Sequence, residues 1–224
     1  MNQRQEKLFL KIVQEYIDSA EPVGSSLLAS KYNFGVSAAT IRNDMVDLEN
    51  EGLIMHPYTS AGRIPTEKGY KLYLDNYLHK IKEINKRDKD KLNELNKEKD
   101  KEIKIKNIAK EIAHLSGSAV VVALDRNNVY YTGIANLLAQ PDFADLPVIY
   151  NISEVMDHLD EVVLEIYDQV DKIEVKIGSE NYFDRSCASV LVRNGEQLIM
   201  ILGPVRMNYE RNIGLINYLQ ILLG

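Results

Sequence analysis

One stretch constrains this chain more than any other: Val36-Ser37-Ala38-Ala39-Thr40-Ile41-Arg42-Asn43-Asp44-Met45, followed by Pro57-Tyr58-Thr59-Ser60-Ala61-Gly62-Arg63-Ile64-Pro65-Thr66. Ile41, Met45 and Leu48 recur at i, i+4 and i+7, the spacing of a helix with one apolar face. Ser37 can cap its first turn, and Gly52 stands where a helix end favours positive φ. The opposite face presents Ser37, Ala39, Thr40, Arg42, Asn43 and Val46. Arginine can pair with guanine and asparagine with adenine, while small side chains reach a thymine methyl in the major groove. Residues 53–55 and 63–65 read as short strands around a small-residue loop at 59–62. Helix, strand, loop and strand make a winged helix. Its loop is expected to bring Thr59, Ser60, Gly62 and Arg63 to phosphate or the minor groove. The competing reading is a bundle corner with a solvated polar face, beside a hairpin that exposes one arginine.

Upstream, Leu8, Ile12, Val13, Tyr16 and Ile17 predict an amphipathic helix over about 3–19, stopped by Ala20-Glu21-Pro22-Val23-Gly24. Ser25 or Ser26 is expected to cap a short second helix to about Tyr32. The turn Asn33-Phe34-Gly35 then leads into the third helix. Two short helices around a tight turn form a helix-turn-helix.

Charge shapes how such a reader must work. The net charge is −6, but unevenly spread. Residues 1–80 hold 9 Lys and Arg against 10 Asp and Glu, residues 81–110 hold 11 against 7, and residues 111–224 hold 7 against 16. The reader lacks a basic field. It must use a few placed cations and backbone amides, with modest non-specific affinity.

Residues 1–77 resemble the N-terminal domain of the bacterial heat-inducible transcription repressors of the HrcA family. The resemblance rests on Glu21-Pro22-Val23-Gly24-Ser25, Ser37 to Met45, Leu48-Glu49, Gly52-Leu53-Ile54, and Thr59-Ser60-Ala61-Gly62-Arg63-Ile64-Pro65-Thr66 with Gly69-Tyr70. Tyr58 departs from the family's usual His before Thr-Ser-Ala-Gly-Arg.

Beyond Thr66 the pattern predicts helix, with Leu72, Tyr73, Tyr77, Leu78, Ile81 and Ile84 as its stripe. Residues 85–102 are dense in Lys, Asp and Glu, and Ile105, Ile108, Ile112 and Leu115 resume helical spacing. We read 78–104 as a charged helical linker, docked at its ends and solvated between them. Loose coiled-coil pairing and phosphate contact are the alternatives.

Residues 105–224 read as an α+β sheet domain. An apolar strand over 118–124 turns at Asp125-Arg126-Asn127-Asn128 into a hairpin partner. Ser153 is expected to cap a helix to about Val170. Residues 172–177, 188–192 and 198–202 follow as strands, and 206–223 as a final helix. This half resembles the family's GAF-like domain through three segments. They are Tyr131-Thr132-Gly133-Ile134-Ala135-Asn136-Leu137-Leu138 with Pro141-Asp142-Phe143, Ile177-Gly178-Ser179-Glu180-Asn181, and Ile201-Leu202-Gly203-Pro204-Val205-Arg206-Met207-Asn208-Tyr209. The family carries a dimerising domain inserted after the first strand, where this chain has only a turn. The resemblance implies a homodimeric repressor of chaperone genes on an inverted-repeat DNA operator, modulated by temperature and chaperonin. The alternative is a winged-helix regulator whose GAF-like domain senses a small molecule.

Other function classes find little support. No run approaches the ~18 apolar residues of a membrane span, and the N-terminus lacks a signal-peptide core, so a cytoplasmic address is expected. The four histidines, His56, His79, His114 and His158, and the single Cys187 stand in no nucleophile or metal motif. No phosphate-binding glycine pattern occurs. Neither enzymatic activity nor a metal or cofactor is expected.

Overall fold

In the computed structural model, which describes residues 1–77 and 83–223, the first helix, α1 (Gln3–Ser19), opens on a capping box. The Asn2 side chain accepts from Gln5 N–H, and the Gln5 side chain accepts from Asn2 N–H. Leu8, Phe9, Ile12 and Val13 are fully buried along one face. The helix stops at Ala20 in the left-handed region, φ 59°. The next helix, α2 (Ser25–Lys31), starts from Gly24 without a side-chain cap, so neither Ser25 nor Ser26 serves as the cap the sequence suggested. Glu15 ties α1 to the end of α2: its carboxylate accepts from Lys31 Nζ at 2.7 and 2.9 Å and from the Tyr32 hydroxyl. These donors hold its pKa below the usual carboxylate value.

Then α3 (Ala38–Asn50) begins with Ser37 Oγ accepting from Thr40 N–H at 3.2 Å. It closes with a Schellman pair: Leu53 N–H to Leu48 O at 3.0 Å and Gly52 N–H to Glu49 O at 2.9 Å, with Gly52 at φ 72°. Two short strands follow, β1 (Ile54–Met55) and β2 (Ile64–Pro65), paired antiparallel as Ile54 to Pro65 and Met55 to Ile64. Arg63 also bridges Val23, so the loop before α2 adds a third edge to this small sheet. Helix α4 (Glu67–Tyr77) packs Tyr70 into the same core.

The chain divides into two compact units, Met1–His79 and Lys80–Gly224. Leu78, His79 and Ile81, read above as stripe or histidine positions, lie outside the described residues. The connector is helical, but in pieces. Helix α5 (Lys86–Leu95) and helix α6 (Lys101–Ser116) are separated by residues 96–100, where Asp100 caps α6 through Ile103 N–H at 2.9 Å. Nor is α5 a solvated rod. Leu92 is fully buried, Lys91 pairs with Glu111 of α6 at 2.7 Å, and Asn93 accepts from the Tyr218 hydroxyl at 2.9 Å. Buried Leu92, with half-buried Leu95 and these polar contacts, docks α5 within the second unit.

The second unit is built on a five-stranded antiparallel sheet. Its strands are β3 (Ala119–Asp125), β4 (Asn128–Thr132), β5 (Glu174–Ile177), β6 (Cys187–Asn194) and β7 (Gln197–Pro204), in the order β4-β3-β7-β6-β5. The β3–β4 hairpin turns at Arg126 and Asn127. Central strands are buried on both faces, as their unbroken apolar runs require. One face, with Val121, Leu191 and Met200, packs against α7 (Ile134–Leu138), the 3-10 turn Pro141–Phe143, α8 (Leu146–Asp157) and α9 (Leu159–Tyr167) through Leu137, Phe143, Ile152, Val163 and Ile166. The other is covered by α6 and α10 (Tyr209–Leu223), which contribute Ile108, Ile112, Leu215 and Ile216. Ser153 lies inside α8, its hydroxyl donating to Ile149 O at 2.8 Å. The helix expected there is split at His158. The α+β layout expected from the sequence is present: an N-terminal winged helix-turn-helix and a C-terminal layered sheet domain.

Candidate nucleic-acid interface

Helix α3 divides cleanly into two faces. Ile41, Asp44, Met45 and Leu48 are buried; Ala39, Arg42, Asn43 and Val46 are exposed in register on the other side. Ser37 is exposed at the N-terminus, and its hydroxyl lies 3.1 Å from that of half-buried Thr40. The helix N-terminus adds a partial positive charge there.

Most cations of this unit already have partners. Arg4 grips Asp44 with two bonds, at 2.7 and 3.0 Å, and Lys31 is held by Glu15. Lys7 donates to Asn33 O, Lys11 to Gln14, Lys68 to Glu51 O and Lys71 to Glu67. Among the described residues of the unit, Arg42 is the cation left without a protein partner. A free guanidinium on the exposed face of a helix-turn-helix is suited to bidentate base contact, since it gives up no internal bond to make one.

The wing divides the remaining expected residues. Thr59 and Ser60 stand exposed at its tip, with Ser60 at φ 70° and Ala61 N–H turning back onto Tyr58 O at 3.1 Å. Gly62 and Arg63 sit differently from the expectation. A Cβ on Gly62 would fall 2.5 Å from Val23 C and O and 2.7 Å from Pro22 C, so glycine here admits the 22–23 loop against the wing. Arg63 is buried, 8% exposed. Its Nε and NH2 donate to Glu49 Oε2 at 3.0 and 2.8 Å, and NH1 meets His56 Nδ1 at 2.6 Å. The expected exposed basic tip is therefore an inward-facing arginine: β2 turns its side chain toward α3, where a carboxylate awaits it. Between α3 and the wing lies a groove of about 440 Å³, lined by Arg42, Val46, His56, Ser60 and Arg63 among others.

Sequence reasoning missed Asp44, Glu49 and His56. Asp44 carried a signal: it interrupts the apolar stripe of α3, and a buried carboxylate needs a cation. Glu49 and His56 carried none, because their shared partner is set by the wing's return.

The family model of the HrcA protein C terminal domain matches residues 71–213, more than half of the chain. The chain belongs to the HrcA family. A DeoR-like helix-turn-helix model also matches residues 31–66, spanning α3 and the wing of this HrcA-family chain. The heat-inducible transcription repressor HrcA of Thermoanaerobacter sp. strain X514 is 25% identical over 323 positions, covering 97% of this chain and 94% of the relative. That of Desulfitobacterium hafniense is 26% identical over 330, covering 98% and 95%. Both alignments exceed the 224 residues present here, so these relatives carry stretches without a counterpart in this chain. Over 78 residues, 35% of this chain and 23% of the relative, identity to HrcA of Alkaliphilus metalliredigens rises to 56%. A crystal structure of a hypothetical protein at 2.2 Å resolution superposes with TM-score 0.76 at 20% identity, covering all of this chain and 96% of that one, a likeness of fold. The chain is a transcription regulator of a repressor family with a helix-turn-helix DNA-binding domain.

Cys187 is buried, and burial pushes its thiol up to about 12, so it stays protonated. Asn181 is engaged with Ser189 Oγ at 2.8 Å and Phe183 N–H at 3.0 Å. Among the described residues no helix is long and apolar enough to cross a membrane.

Proposed function

We propose that this chain represses chaperone genes by binding an inverted-repeat operator as a homodimer, released on warming and favoured by chaperonin. The observation that carries the DNA reading is the unpaired Arg42 on the exposed face of α3, beside Asn43, Ala39, Thr40 and Ser37. In this reading Arg42 and Asn43 read base edges, Ala39 and Val46 meet thymine methyls, and Ser37, Thr40, Thr59 and Ser60 bond phosphate. Two-fold symmetry places two such helices about one or more turns apart, near 34–36 Å per turn. The names of the relatives support heat induction; the chaperonin and the operator come from the family resemblance.

Selection from a random duplex library defines the preferred site, and footprinting upstream of the organism's chaperone genes then locates it. With that site in hand, Arg42→Ala and Asn43→Ala should each weaken binding by about 1–3 kcal/mol and relax preference at one position, with the fold intact. Unchanged affinity in a gel-shift titration removes that residue from the reading surface.

A further inference from the structure

We propose that Glu49, Arg63 and His56 form a clasp that fixes the wing against the recognition helix, making Arg63 a positioning residue and not a phosphate contact. The proposal rests on the DNA-reading function above. Its basis is geometric. Glu49 lies in the last turn of α3, His56 follows β1, and Arg63 precedes β2, so one guanidinium joins three elements. All three of its nitrogens are used: Nε and NH2 on Glu49 Oε2, NH1 on His56 Nδ1. Arg63 can only donate, so Nδ1 is the acceptor there, and its 3.1 Å approach to Ala61 O is then a contact and not a hydrogen bond. The His56 ring then holds Nε2 4.0 Å from Glu49 Oε2. The Arg63 main chain is anchored as well, exchanging both hydrogen bonds with Val23 at 2.9 Å. The side chain is 10% exposed, whereas the wing tip at Thr59 and Ser60 is open to solvent. β1 and β2 hold two residues each, too little ladder to fix a wing's angle. The clasp supplies that stiffness, and preorganised loops bind more tightly because less ordering remains to be done on contact.

The decisive variant is Glu49→Gln. Removing a negative charge beside DNA should tighten binding on simple electrostatic grounds; loss of the clasp should weaken it. The full chain is titrated with the selected duplex and with a scrambled one across salt concentrations, at a temperature where melts show each variant folded. We expect Glu49→Gln and Arg63→Gln each to lose about tenfold in affinity. The double variant should lose no more than either single, because both remove one interaction. All three should keep the parent's slope of log affinity against log salt. Tighter or unchanged binding by Glu49→Gln, additive losses in the double, or a slope flattened by about one in Arg63→Gln alone overturns the clasp in favour of a phosphate contact. If Arg63→Gln melts too low, Arg63→Lys replaces it. Lysine keeps the charge but not the fork, so affinity at the Glu49→Gln level supports the clasp and parental affinity overturns it. Failure of the clasp with Arg42→Ala still impaired leaves the DNA reading intact. A parent that binds selected and scrambled duplexes equally overturns both.

Discussion

Gly62 shows how one residue type can serve a motif for a reason other than the one its position suggests. A glycine in a wing loop invites the idea of close approach to DNA. Here the close approach is internal, with main-chain atoms of Pro22 and Val23 occupying the space of a side chain. Backbone cannot swing aside as a long side chain can, so Gly62→Ala must push the wing off the 22–23 loop and stretch the Arg63–Val23 pair. We expect this substitution to destabilise the N-terminal unit by about 1–3 kcal/mol, the usual cost of overpacking. Thermal unfolding followed by circular dichroism measures it, and a midpoint equal to the parent's would return Gly62 to the DNA-contact set. The distinction matters for reading variants of this region. A loss of binding in Gly62→Ala accompanied by a lower melting point reports on the wing's seat, whereas Arg42→Ala should lose binding at an unchanged melting point.

At the scale of elements, the second unit is held by a tie of the same kind. Arg206, in the turn between β7 and α10, is buried and donates from Nε to Asp142 Oδ2 at 2.9 Å and from NH2 to Gln140 Oε1 at 2.9 Å. It joins the Gly203-Pro204-Val205-Arg206 segment to Pro141-Asp142-Phe143 across 64 residues of chain. Truncation leaves a largely buried carboxylate uncompensated, so Arg206→Met should cost about 3–5 kcal/mol. Asp142→Leu added to it should recover part of that loss. Urea unfolding checks both; a double variant no more stable than the single means the carboxylate was already hydrated. Such ties mark where the sequence was legible and where it was not. Periodicity and caps are local, so α1, α3 with its Ser37 and Gly52 ends, and the central strands could be read from spacing alone. The Arg63–Glu49 and Arg206–Asp142 pairs are long-range, and spacing says nothing of them. Ser153 misled because a serine is equally able to back-bond a carbonyl inside a helix as to cap one. The break at His158 and the docking of α5 by Leu92 went unseen because each depends on what the neighbouring layer offers.

For the molecule as a whole, the arrangement of charge and the short β3–β4 hairpin bear on how a repressor of this size could respond to heat. A reader with one free cation on its recognition helix binds a single half-site weakly, since phosphate neutralisation supplies most non-specific affinity. Under the proposed homodimeric reading, specific repression then depends on bivalence. Joining two readers raises the affinity for a paired site by about 10²–10⁴ through effective concentration, without any new contact to DNA. In that reading, whatever holds two copies together controls most of the affinity for a paired site. The resemblance places an added dimerising domain where this chain has only the Arg126–Asn127 turn, and the long alignments to relatives agree that segments are missing here. A dimer resting on a smaller surface associates more weakly, so it comes apart at lower temperature and already at higher protein concentration. We therefore expect sedimentation velocity to show a dimer at growth temperature that gives way to monomer as the protein warms, with operator release following the same curve and both shifting upward at higher protein concentration. A dimer that persists at temperatures where the duplex is already released would place the thermal response inside the winged helix itself, where the Glu49–Arg63–His56 clasp would be the first element to test.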